Sequence, residues 1–117
     1  MPELTFGEQR SPAMKKIDKR VKDRVQKGID LLQEKHGADW VDKIDLKSLN
    51  LGSTTECVLG QVYGDYHDGL KELQLHGESA KYGFMSEGEP YTVLDEEWAD
   101  RISLLRGRQH PKELLNG

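Results

Sequence analysis

One cysteine, four histidines and a scatter of neighbouring carboxylates are the residues of this chain that could carry covalent, metal or acid–base chemistry. A thiol acts as a nucleophile only as thiolate, which requires an electropositive, partly open setting. Cys57 stands instead beside Val58 and Leu59, with Glu56 as its nearest charge, so it reads as a buried structural cysteine. His36, His67, His76 and His110 never pair at i, i+3 or i, i+4, and no HExxH or CxxC spacing is present. Asp65, His67 and Asp68 are close in sequence, but on a helix only Asp65 and Asp68 share a face. Gly60, Gly64 and Gly69 lack the GxGxxG spacing of a phosphate loop and read as a bend or as close helix packing. Glu96-Glu97 and Asp42-Asp45 are explained as helix-terminal and surface charge. The expectation is therefore a non-enzymatic protein with no cofactor and no metal.

The remaining feature with chemical character is a cluster of cations near the N-terminus. Through Lys27 there are eight Lys/Arg against four acids, a balance of +4. The rest of the chain holds nine basic and seventeen acidic residues, a balance of −8. On a 3.6-residue period, Lys15, Lys19 and Lys22 lie on one side of the apolar stripe Met14-Ile17-Val21-Val25, and Lys16, Arg20 and Lys27 lie on the other. Four readings are open for this surface. The plainest is the solvated outer face of a core helix. The second is a docking face for an acidic protein surface, including the acidic body of a second copy. The third is nucleic acid, with affinity that would fall steeply with salt. The helix offers no aromatic for stacking and few Asn or Gln to read base edges. The fourth is a membrane surface, for which its apolar face lacks Trp, Phe and Leu.

These residues must be held by helices. At 117 residues the chain has the size of one domain. Its 35% hydrophobic and 32% charged residues suit helices that each bury one stripe. Ser11 and Pro12 fit the N-cap and first position of a long helix over 12–36, closed by His36-Gly37. A short turn follows that points Trp40 inward. Residues 45–51 alternate apolar and polar, which allows a short strand, but no partner strand follows from the sequence and the irregular reading is favoured. Ser53 and Glu56 are spaced as a capping box for a second helix over 53–75. The i, i+4 series Val58, Val62, Tyr66, Leu70 argues that this helix is continuous or mildly kinked. A Gly-rich loop with one helical turn at Ser79–Tyr82 leads to a last helix over 95–107, capped by Asp95.

The expected fold is thus all-α, a small three-helix domain with long irregular connections over 12–106 and flexible tails at 1–11 and 107–117. The alternative is α+β with a short hairpin near 43–51. The expected core is Ile17, Val21, Val25, Leu32, Trp40, Leu46, Val58, Leu59, Val62, Tyr66, Leu70, Trp98 and Ile102. With no apolar run approaching a membrane span and a lone cysteine, a cytoplasmic protein is expected.

Trp40, Ile44-Asp45-Leu46, Leu49-Asn50-Leu51, the run from Cys57-Val58-Leu59-Gly60 through Gln61-Val62-Tyr63-Gly64 to Asp65-Tyr66, and Gly69-Leu70 together carry a resemblance. With Gly83-Phe84 and Trp98, they make residues 28–106 similar to a family of short proteins from actinobacteria and the phages that infect them. The resemblance omits the start of the basic helix and brings no activity with it. It implies a shared core and a phage-encoded accessory protein, located in the bacterial host cytoplasm. The expectation for function is then an interaction module that binds a bacterial host protein through Lys15, Lys16, Lys19, Arg20, Lys22 and Lys27 and perturbs host growth. A small DNA-binding regulator using the same helix is the alternative, and a homodimer is compatible with either.

Overall fold

A computed structural model describes the backbone of residues 2–109 and the side chains of 19–108. Four α-helices are present among these residues: α1 (Pro2–His36), α2 (Val58–Tyr63), α3 (Tyr66–Leu73) and α4 (Tyr91–Gln109). Two 3-10 helices, Ala38–Lys43 and Ser79–Tyr82, lie between them, and no strand occurs among the described residues. The all-α expectation holds, and the hairpin near 43–51 does not form. Asp45 organises that segment as turns instead: its carboxylate accepts from the Lys47 amide (3.0 Å) and the Ser48 hydroxyl (2.8 Å).

The apolar stripe of α1 is buried at Val21, Val25, Ile29 and Leu32. Against it lie α4 and both 3-10 helices. Trp98 is the centre of the core. Phe84 stacks on it at 5.4 Å, Trp40 meets it edge-on at 6.2 Å, and its indole N–H donates to the Gly83 carbonyl at 2.6 Å. Gly28 explains the close approach of α1, because a Cβ there would lie 2.3 Å from the Tyr82 carbonyl and 2.9 Å from the Trp98 ring. Of the expected core, Val21, Val25, Leu32, Trp40, Val58, Leu59, Trp98 and Ile102 are buried, and Leu46, Val62, Tyr66 and Leu70 are partly buried against them. Ile17 falls outside the described side chains.

Boundaries differ from expectation in all three expected helices. The helix begun at Ser11-Pro12 extends back to Pro2. The single helix expected over 53–75 is two. Gly64 takes φ 96°, a left-handed C-cap that ends α2, and Asp65 caps α3 by accepting from the His67 amide at 2.8 Å. The Ser53 cap does form, accepting from the Glu56 amide at 3.1 Å, but it closes a turn. The N-cap of α2 is Cys57, whose sulfur accepts from the Gly60 amide at 3.2 Å. Finally, α4 starts at Tyr91, with the Pro90 carbonyl accepting from the Val93 amide at 3.1 Å. Asp95 therefore sits inside the helix, where its carboxylate accepts from the Leu51 amide at 2.7 Å and fastens the 43–56 segment to α4. Of the tail expected over 107–117, residues 107–109 belong to α4, and 110–117 lie outside the described residues.

Candidate interaction surface

The two faces of α1 use its cations differently. Arg24 is only 8% exposed and is consumed by the fold. Its Nε donates to the Ala80 carbonyl (2.8 Å) and one Nη to the Met85 carbonyl (3.0 Å). The two Nη atoms together grip the Glu89 carboxylate at 3.1 and 2.8 Å. The Glu89 side chain is 8% exposed. Burial works against its ionisation, but the hydrogen bonds and charge of Arg24 outweigh that and hold the carboxyl below its usual range. The second interior clamp is Arg106, which donates to the carbonyls of Val41 (3.1 and 2.8 Å) and Ile44 and so fixes α4 to the segment carrying Trp40.

On the outer face, Lys19, Arg20, Lys22 and Lys27 are all exposed, and none forms an ion pair with another described residue. Lys15 and Lys16 lie on the α1 backbone, with side chains outside the described residues. Asp23, Asp30 and Glu34 share the exposed side, so the surface is a mixed one with cations concentrated in the 19–27 stretch. It is held on a helix whose opposite stripe is fully buried, so its charges have fixed spacing.

Where α1 meets the loop before α4 there is a cavity of about 370 Å³, lined by Arg20, Val21, Arg24, Glu87, Gly88, Glu89 and Pro90. A smaller one of about 100 Å³ is lined by the 51–54 turn together with Tyr66, Phe84, Met85 and Tyr91. There the Tyr66 hydroxyl donates to Ser79 Oγ at 2.6 Å.

The other sequence candidates are spread apart. Cys57 is buried; burial pushes its thiol up, and the Gly60 amide that pulls the other way does not compensate. His36 is exposed and pairs with the Tyr63 hydroxyl at 2.6 Å, while His67 and His76 are exposed elsewhere. His110 lies outside the described residues. No group of three or more His, Cys, Asp or Glu is gathered to hold a metal among the described residues. Nor is any helix among them long and apolar enough to cross a membrane. The sequence reading missed the Arg24–Glu89 pair. The signal was present in part: Arg24 lies between Val21 and Gly28 on the inward edge of the α1 stripe.

Comparison with family profiles, with curated proteins and with solved structures finds no match for this chain.

Proposed function

We propose that the protein is a non-enzymatic interaction module that docks an acidic surface of a partner protein onto the cationic stretch of α1. The observation that carries this reading is the division of labour along one helix. Arg24 is spent on Glu89, whereas Lys19, Arg20, Lys22 and Lys27 are presented without an ionic partner among the described residues. The interspersed Asp23, Asp30 and Glu34 favour a protein surface of mixed charge over the uniform phosphates of nucleic acid. The resemblance to short proteins of actinobacteria and their phages supports placing the partner in a bacterial cytoplasm. There the protein would be an accessory factor that binds a host protein and perturbs growth.

The test is affinity capture of the tagged protein from a nuclease-treated bacterial lysate at low and high salt. A host protein retained in stoichiometric amount through both treatments is the expected result. Recovery that depends on intact nucleic acid and low salt would replace this reading with the DNA-binding one.

A further inference from the structure

We infer that the groove between α1 and the 87–90 loop is the seat for an aliphatic side chain of the partner, next to a partner carboxylate that pairs with Arg20. This rests on the docking reading above and names the part of the surface that recognises the partner.

Arg20, an exposed cation of α1, borders the cavity. The floor of that cavity is Val21, a core residue, and Gly88 and Pro90 stand on the loop side. Arg24 and Glu89 also line it and are already joined to each other, so they present a neutral surface there. Glu87 is different. Its side chain is 61% exposed and reaches Arg24 Nε only at 3.6 Å, while that Nε already donates to the Ala80 carbonyl. Glu87 thus pairs only loosely with Arg24 and keeps acceptor capacity on the loop side, suited to a backbone N–H of an incoming chain. The volume of about 370 Å³ is at the small end of ligand sites and fits one branched side chain with its flanking peptide units. Glu87 on the loop side disfavours a phosphate, whose double charge it would repel more than a single one. A single carboxylate on the Arg20 side, with an aliphatic neighbour over Val21 and Pro90, carries less charge and pairs with one guanidinium.

The probe is a short blocked peptide alternating Asp or Glu with Leu, titrated into the full-length, isotope-labelled protein and followed by NMR. Saturable shifts of the Val21 methyls, the Gly88 amide and the Arg20 Nε–H are expected. Arg20→Glu, and replacement of the peptide's Leu by Ser, should each weaken binding by tenfold or more. Glu87→Trp separates cavity from charge. It removes a negative charge, so attraction to the α1 cations alone would tighten the acidic peptide, whereas filling the groove should abolish the Val21 shifts and weaken it. Tighter binding by Glu87→Trp would overturn the inference. So would shifts confined to Lys19, Lys22 and Lys27 with Val21 and Gly88 unmoved, an outcome that leaves the broader docking reading standing. Absence of any shift would also overturn the groove, and the lysate capture would then decide the docking reading separately.

Discussion

Arg24 and Glu89 show how much one ion pair can organise when it is taken out of water. The pair joins α1 to a loop 65 residues later, and the backbone carbonyls of Ala80 and Met85 accept from the remaining Arg24 donors. Glu89→Ala leaves Arg24 with Glu87 at 3.6 Å and the two carbonyls, so it should destabilise the fold by about 1.5–3 kcal/mol in urea titrations. The pH dependence follows in sign. The folded carboxyl is held below its unfolded range, so its contribution is complete above the unfolded pKa and is lost as pH falls through the folded one. Stability of the native chain minus that of Glu89→Gln, followed from neutral pH into the acid range, should therefore shrink with acidification. A difference that grew instead would contradict the pairing. The two tryptophans offer a second contrast. Trp98 Nε1 donates to Gly83, while Trp40 Nε1 has no hydrogen-bond partner among the described residues. Trp98→Phe should consequently cost about 1–2 kcal/mol more than Trp40→Phe, because it orphans a buried carbonyl while the other removes an orphaned donor.

Among the elements, what could be read in advance depended on whether its cause was local. The stripe Val21, Val25, Ile29, Leu32 follows from periodicity alone, and the Trp40 turn and the Ser79–Tyr82 turn come from short local patterns. The break between α2 and α3 was written in the sequence as Gly64-Asp65, a C-cap residue followed at once by an N-cap. It was masked by the i, i+4 run Val58, Val62, Tyr66, Leu70, which two short helices satisfy as well as one. Asp95 misled for the opposite reason. Its type suits a cap, but its partner, the Leu51 amide, is 44 residues away and no local pattern announces it. Glycines at the element boundaries should respond by mechanism. Gly64→Ala meets open space and suffers only the left-handed backbone, a cost of about 1–2 kcal/mol. Gly28→Ala drives a methyl into the Tyr82 carbonyl and the Trp98 ring, and should lower the melting temperature by more than Gly64→Ala does.

For the molecule as a whole, the cation cluster was legible in sequence because charge segregation needs no coordinates. What sequence left open was which cations the fold uses and which it leaves outward. Periodicity places Arg24 at the inward edge of the α1 stripe, but its partner Glu89 comes from a loop that only the fold brings over α1. Similarly, the cavity beside Arg20 exists because Gly88 and Pro90 come from a segment far along the chain. The Cys57 thiol belongs to this scale too, since its burial depends on the assembled core: a thiol reagent should modify it only on unfolding, with labelling that tracks denaturant. Rapid labelling of the folded protein would show that the core around α2 opens.

The most direct measurement of the central claim is the affinity of the captured, purified partner for the native protein and for the Lys19→Glu/Lys22→Glu variant, compared at low and high salt. Both side chains are exposed on α1, so the variant should retain its helical content and melting behaviour. Docking on α1 requires that the variant bind at least tenfold more weakly at low salt and that the gap narrow as salt is raised. Equal affinity of the two proteins at low salt would contradict it and move the docking surface off α1.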